Sequence, residues 1–267
     1  MIKNKFTIVT PVFNGEDHLV DLYDNLSSIL SNLDISWVIV NDASTDNTRK
    51  IALSLIEKNN KISLVDLEYN SGPANARSQG VKSAKSKYIF FLDADDYILE
   101  NSFYDFLEFI NYSDGYDYYY SPLLVTSKKI KENSINNEFS GIVEINSPVG
   151  FIINSFPQPS SLVVVKDFFD KYNVNNNLKW GEDFLMYLIL GKYGKGVRWG
   201  RNVSCYIING QGRGSKLSLK LRIALSKILY IESFKKGKIF SSIVYSSFLT
   251  LRHIVSYLYK KLIKSRF

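Results

Sequence analysis

Two aspartates one residue apart, Asp93 and Asp95, directly follow the apolar run Tyr88-Ile89-Phe90-Phe91-Leu92. Carboxylates so spaced on a tight turn can share a hard divalent ion whose other ligands are the oxygens of a nucleotide diphosphate. A third acid, Asp42, follows a second apolar run, Trp37-Val38-Ile39-Val40. There a carboxylate can accept a hydrogen bond from a base imide or a ribose hydroxyl. Capping competes at both places: Asp96 or a neighbour for the helix after the first run, Ser44 and Asp46 for the helix after the second. Gly72-Pro73 makes a turn into a helix whose N-terminal amides and Arg77 sit where negative charge is welcome. Alternatively, Arg77 is an ordinary cation on a helix face.

These groups need a scaffold that brings strand ends together. Phe6–Thr10, Trp37–Val40, Ile62–Val65 and Tyr88–Leu92 are short β-rich runs without long alternation, as expected of strands covered on both faces. Between them, residues 17–32, 46–58 and 73–85 carry helical spacing. The first ~100 residues therefore read β-α-β-α-β-α-β, a doubly wound parallel sheet. In such sheets ligands collect outside the carboxyl ends of the strands, where strand order reverses. Asp42 and Asp93-Ala94-Asp95-Asp96 stand at two such ends. Further along, residues 126–147 read as a polar surface excursion or hairpin, Ser161–Val165 as a strand, and Trp180-Gly181-Glu182-Asp183 opens a helical run from Phe184 to Leu190. The tyrosines 116, 118, 119 and 120 suggest a sugar platform, but strand alternation explains them with less effort.

Composition narrows the classes. With 267 residues, 45% hydrophobic, 22% charged and six prolines, the chain is a folded protein with a real core. One cysteine, Cys205, and two histidines, His18 and His253, exclude an intrachain disulfide and leave too few ligands for a Cys/His zinc cage, so a metal must be held by oxygen. There is no G-x-x-x-x-G-K-[ST] loop, and the glycines at 194, 196 and 200 lack dinucleotide spacing, which disfavours a kinase or a dehydrogenase. The N-terminus runs straight into a strand rather than a secretion signal, which places the chain in a cytoplasm. The net charge of +7 conceals an asymmetry: residues 216–267 hold twelve Lys/Arg against one acid, Glu232, leaving the remainder, with 21 basic and 25 acidic residues, at −4. A mildly acidic body with a basic, apolar tail points to an anionic membrane surface and not to nucleic acid. In that tail Ile239, Phe240, Ile243, Val244, Phe248, Leu251, Val255, Leu258 and Leu262 form one helical stripe, too short in its uncharged part to span a bilayer. Packing of this helix on the domain or in a dimer is the competing reading.

Four stretches in order resemble the family 2, GT-A type, nucleotide-sugar glycosyltransferases: Thr10-Pro11-Val12-Phe13-Asn14, Val40-Asn41-Asp42-Ala43-Ser44-Thr45-Asp46, Asn70 to Gly80, and Phe91-Leu92-Asp93-Ala94-Asp95-Asp96. The resemblance is good from residue 6 to about 100, looser to about 215, and absent from the tail. It implies that Pro11, Phe13 and Asp42 line the base and ribose pocket, that Asp93 and Arg77 contact the nucleotide-sugar, and that Asp95 ligates Mn²⁺ or Mg²⁺. Gly181-Glu182-Asp183 resembles the acidic motif opening the acceptor-side helix. Asp183 is then the general base, with Glu182 and Trp180 on the acceptor. Acids in a first helical turn are also favoured by the macrodipole, and a tryptophan is often simply core. Gly210 to Ser215 resembles a late loop over the diphosphate, with Arg213 balancing leaving-group charge, although it lacks the commoner Arg-rich or His-bearing pattern; a plain surface loop is the alternative.

The expectation is thus an α/β GT-A protein with a Rossmann-like, mostly parallel central sheet flanked by helices and a C-terminal helical extension. Residues 1–215 form the catalytic domain, its nucleotide-binding half about 1–100 and its acceptor half about 101–215, and 216–267 the basic amphipathic tail. The expected activity is inverting, metal-assisted transfer from a nucleoside-diphosphate sugar, a UDP-sugar foremost, to a hydroxyl of a glycan or lipid-linked saccharide at the inner face of the cell membrane. A nucleotidyltransferase on a related fold and a non-catalytic nucleotide-sugar-binding or membrane-associated subunit are the rivals. A homo-oligomer is left open.

Overall fold

The structure, a computed structural model, describes residues 5–127, 137–172, 182–207 and 219–264. The expected first half is present: β1 (Phe6–Val12), α1 (Glu16–Asn32), β2 (Ile35–Asn41), α2 (Thr48–Lys58), β3 (Ile62–Asp66), α3 (Pro73–Ser83) and β4 (Tyr88–Phe91). The strands are parallel, with Ile8 of β1 opposite both Trp37 of β2 and Phe90 of β4. The chain winds outward from β1 to β3. The α3 crossover then returns it to the other side of β1, so strand order reverses between β1 and β4. β1, β2 and β4 are buried almost throughout, because helices cover both faces, which accounts for their unbroken apolar runs.

The second half extends this sheet. After β5 (Asp96–Ile98) and α4 (Glu100–Tyr112) come β6 (Tyr118–Tyr120), β7 (Leu124–Thr126), β8 (Ile142–Ile145), α5 (Pro148–Asn154), a 3₁₀ turn (Pro159–Ser161), β9 (Leu162–Val165), α6 (Lys166–Tyr172), α7 (Glu182–Tyr193), β10 (Gly196–Trp199) and β11 (Ser204–Ile207). The main sheet has the order β3-β2-β1-β4-β9-β6-β10-β8, with β9 antiparallel to both neighbours and β8 antiparallel to β10. It is mostly parallel, as expected. A small second sheet, β5-β11-β7, lies beside it. The hairpin expected over 126–147 does not form among the described residues, since β7 and β8 belong to different sheets. The tyrosines of β6 are fully buried on both faces of the sheet, and the hydroxyls of Tyr118 and Tyr120 donate to the carbonyls of Ile145 and Ser155 (both 3.2 Å). They are core rather than a sugar platform.

The tail forms two helices, α8 (Leu219–Phe234) and α9 (Ile239–Lys264), packed as a hairpin on α5 and α7. Two lysines fasten it reciprocally. Lys192, at the end of α7, donates to the carbonyls of Glu232 and Ser233 at the end of α8, while Lys238 donates to those of Gly191 (3.0 Å) and Gly194 (3.1 Å) at the end of α7. Each cation thus meets the negative end of a helix. The face of α9 turned inward carries Ser242, Tyr245, Ser246, Leu249 and His253. The competing reading of a helix packed on the domain therefore holds for this face, whereas Ile239, Phe240, Val244, Phe248, Leu251 and Val255 of the tail stripe stay exposed.

α3 lies hard against the sheet. A Cβ on Gly80 would meet Val9 Cγ1 at 2.3 Å and Val40 Cγ2 at 3.0 Å. Overpacking costs about 1–3 kcal/mol, so Gly80→Ala is expected to lower the thermal midpoint by roughly 2–8 °C. An unchanged midpoint in a melting scan would show that α3 has room to move.

Candidate active site

The acids read from the strand ends converge with Arg77 at the carboxyl edge of the sheet. Asp42 is held at the end of β2: its Oδ1 accepts from the backbone N–H (2.9 Å) and hydroxyl (3.1 Å) of Ser71, and its Oδ2 from the N–H of Gly72 (2.9 Å). This carboxylate fixes the entry to α3. Gly72 there has φ +89°, a left-handed conformation that favours glycine, and Pro73 starts the helix. Ser44 and Asp46 tie the β1–α1 loop to the β2–α2 loop, accepting from the N–H groups of Asn14 (2.9 Å) and Glu16 (3.1 Å). Asp46 also accepts from the N–H of Thr48 (3.0 Å) at the start of α2, although the cap position itself is Asn47, whose side chain makes no cap bond. Phe13 lies exposed on this edge and Pro11 is half-buried in β1.

One turn into α3, Arg77 is buried with only 7% of its surface exposed. Its Nη2 donates to Asp93 Oδ1 (2.7 Å), and its Nη1 reaches Asp183 Oδ1 at 3.4 Å. Arg77 is therefore not an ordinary helix-face cation. It joins three segments far apart in sequence: α3, the turn after β4 and the first turn of α7. Burial alone would lower its pKa, but Asp93 and Asp183 raise it above the usual arginine value, so its charge is fixed. Its Nε is buried without a partner among the described residues.

The other carboxyls carry the opposite strain. Burial pushes Asp183 up, with Arg77 pulling it down and Asp93 pushing it up again. Burial and then Asp183 lift Glu182 to about 7. Burial and then Asp93 lift Asp96 to about 8. Asp96 does not cap the helix after its turn. It opens β5 and is buried, with Oδ2 accepting from the Ser160 hydroxyl and Oδ1 buried without a partner among the described residues. The same Ser160 Oγ accepts from the backbone N–H of Asp93 (3.0 Å), so one hydroxyl sets both ends of the acidic turn.

Three residues here were given no part in the site by sequence reasoning, which read Asp96 only as a cap and a member of the acidic run. Asp96 had a signal, being the third acid of Asp93-Ala94-Asp95-Asp96. Ser160 had none, because a lone serine before a strand is unremarkable until the fold sets it beneath the turn. Tyr245 of α9 is the third: its buried hydroxyl donates to the carbonyl of Phe184 (2.9 Å), supporting from below the helical turn that carries Glu182 and Asp183. Trp180 and Arg213 lie outside the described residues. Among the described residues no three acids, histidines or cysteines form a ready metal cage.

A doubly wound sheet that takes in an antiparallel strand beside its switch point, with carboxylates gathered at the strand ends, is the GT-A glycosyltransferase architecture. The chain belongs to glycosyl transferase family 2, whose family model matches residues 7–181. It resembles the crystal structure of S. aureus TarS residues 1–349 in complex with UDP-GlcNAc, with a TM-score of 0.72 over 94% of this chain and 73% of that one at 18% identity. It is 27% identical over 197 residues to the minor teichoic acid biosynthesis protein GgaB of Bacillus subtilis, covering 71% of this chain and 22% of that protein. It is 26% identical over 208 residues to the glycosyltransferase GlyG of Streptococcus pneumoniae, covering 70% and 66%. The chain thus spans about a fifth of GgaB and just under two thirds of GlyG.

The raised carboxyl of Glu182 gives a signed pH test. A carboxyl whose folded pKa exceeds its unfolded value contributes stability that is fully present below the unfolded pKa, near 4.5, and lost as pH rises through about 7. Glu182→Gln, always neutral, is expected to match the natural protein near pH 4.5 and to melt about 2–4 °C higher at pH 8. Equal melting at pH 8 would mean that Glu182 is ionised there without cost.

Proposed function

We propose that the protein transfers a sugar from a nucleoside-diphosphate sugar, a UDP-sugar foremost, to a hydroxyl of a cell-surface glycan or lipid-linked saccharide, with inversion at the anomeric carbon. The observation that carries this reading is the buried Arg77 linking Asp93, on the donor side of the crevice, to Asp183, at the head of α7. Family membership and the TarS likeness support the nucleotide-sugar chemistry, and GgaB supports a surface-polymer acceptor. In this reading the enzyme works on the cytoplasmic side, at the inner face of the membrane.

Pro11 and Phe13 pack against the base, and Asp42 meets the base or ribose while holding the α3 entry. Asp93 positions the nucleotide. The acidic turn fits a divalent cation: Asp93, Asp95 and Asp96 crowd together, Asp96 keeps a buried oxygen without a partner among the described residues, and Arg77 pairs with Asp93. Asp95 would hold Mn²⁺ or Mg²⁺, with the diphosphate supplying further oxygens in place of a protein cage. When bound, the ion stabilises negative charge on the departing diphosphate.

An acceptor hydroxyl is a weak nucleophile until its proton is taken. Asp183 accepts that proton as the hydroxyl oxygen attacks the anomeric carbon from the face opposite the diphosphate. The new carbon–oxygen bond forms while the bond to the phosphate oxygen breaks, and its electron pair leaves with the nucleoside diphosphate. Burial makes Asp183 a stronger base than a solvated carboxylate, and Arg77 keeps it ionised enough to act. Glu182 and Trp180 bind acceptor hydroxyls and ring, and Arg213 offsets charge on the leaving group.

General-base removal costs about 10²–10⁴-fold in turnover. Asp183→Asn is accordingly expected to lower UDP release from UDP-sugars by at least about 100-fold while leaving calorimetric UDP binding intact, and EDTA to abolish turnover until Mn²⁺ is restored. Full turnover by Asp183→Asn would refute the assignment and favour a non-catalytic binding subunit.

A further inference from the structure

The helical hairpin that closes the chain has two unlike faces. The inward face of α9 is built for close approach: Ser233 Oγ of α8 lies 2.7 Å from Ser246 Oγ and 3.0 Å from the Ser242 carbonyl, and Tyr245 and Leu249 reach the core. The outward face carries the large apolar side chains instead. Phe240, Val244, Phe248, Leu251 and Val255 recur every three or four residues along α9, and all are exposed, Phe240 by 83% and Leu251 by 62%. On α8, Ile231 and Phe234 are exposed by 65% and 66%. An apolar groove of about 420 Å³, lined in part by Ile223, Ile231 and Ile254, continues this surface between the two helices. A contiguous apolar patch of this kind marks an interaction site.

Charge identifies the partner. The exposed Lys227, Lys235, Lys236 and Arg252 flank the patch. The one acid of the segment, Glu232, is already engaged by Lys235 (2.5 Å) and by the Tyr193 hydroxyl (3.1 Å). Residues 216–267 carry a net +11. Like charge disfavours pairing this face with its own copy, and a soluble polyanion would leave the phenylalanines in water. Among the described residues no helix is long and apolar enough to cross a membrane. We propose that the outward face of α8 and α9 docks flat on an anionic lipid surface, with Phe234 and Phe240 at the hairpin tip inserting between headgroups and Lys235 and Lys236 meeting lipid phosphates. This names the surface for the membrane location proposed above, but does not depend on the glycosyl transfer chemistry.

The same helix ties docking to the site. Tyr245 holds the Phe184 carbonyl from the side of α9 opposite the apolar stripe, and Arg252 lies over the rings of Phe156 (5.8 Å) and Phe184 (6.0 Å). The helix that would meet the lipid thus also supports the turn that carries the candidate base. That arrangement suits an acceptor whose lipid stays in the bilayer while its sugar enters the crevice.

Sedimentation of the full chain with vesicles of phosphatidylcholine, with and without 30% phosphatidylglycerol (about that fraction, as a typical anionic content), tests the proposal. The natural protein is expected to pellet with the anionic vesicles and stay mostly in the supernatant with neutral ones. Phe240→Glu combined with Leu251→Glu, both at exposed positions, is expected to reduce binding at least about tenfold with an unchanged melting midpoint, and Lys235→Glu with Lys236→Glu to weaken it in a salt-sensitive way. A chain that ignores anionic vesicles overturns the proposal. So does a dimer in light scattering that the Phe240/Leu251 variant dissolves, since the face would then be a contact between copies. UDP binding by the same samples reports on the donor site separately, so failure of docking and failure of the transfer reading are distinguishable.

Discussion

The organisation of the crevice depends on one buried cation. A guanidinium withdrawn from water is tolerated only where carboxylates answer it at hydrogen-bond range, and removing either side leaves a buried charge uncompensated. Arg77 is answered by Asp93 at the end of β4 and by Asp183 at the head of α7. The position of α3 is therefore a constraint on everything around it. Gly80 lets the helix approach β1 and β2 without a Cβ, Gly72 supplies the left-handed entry, and Asp42 ties that entry to β2. Segments that are remote along the chain become one site because each meets the same side chain or its immediate supports.

α7 is held from its other end by the tail. The reciprocal lysines at the C-termini of α7 and α8 and the Tyr245 hydroxyl under Phe184 make the hairpin a brace for the helix that presents Glu182 and Asp183. The acidic turn is braced in the same manner by Ser160, which meets both Asp93 and Asp96. The carboxyls are thus held close together in partial burial, a state that raises the pKa values of Glu182, Asp183 and Asp96 and suits proton and cation chemistry.

Much of this was legible in the sequence for definite reasons. Strands covered on both faces leave unbroken apolar runs, so β1 to β4 and the acids that end them could be read directly. Gly72-Pro73 announced α3, which put Arg77 near negative charge before any partner was known. Other features leave no periodic trace. The antiparallel insertion of β9 between β4 and β6 is a matter of pairing, and the four residues of β9 read the same in either direction. Ser160 and the Arg77–Asp183 contact join positions 67 and 106 residues from their partners. The tail illustrates a different limit. Its large apolar residues form the conspicuous stripe, yet Ser233, Ser242 and Ser246, with Tyr245 and Leu249, took the inside, and Phe240, Val244, Phe248, Leu251 and Val255 of the stripe are exposed.

The central claim is that Arg77 is the shared counter-ion holding Asp93, after β4, and Asp183, at the head of α7, together. A double-mutant cycle in urea, with Arg77→Met and Asp93→Asn measured singly and together, tests it most directly. The account predicts a coupling of about 1 kcal/mol or more at pH 7, with either single change costing nearly as much as both, since one uncompensated partner is already the main loss. Strictly additive effects, with no coupling between the two positions, would contradict it.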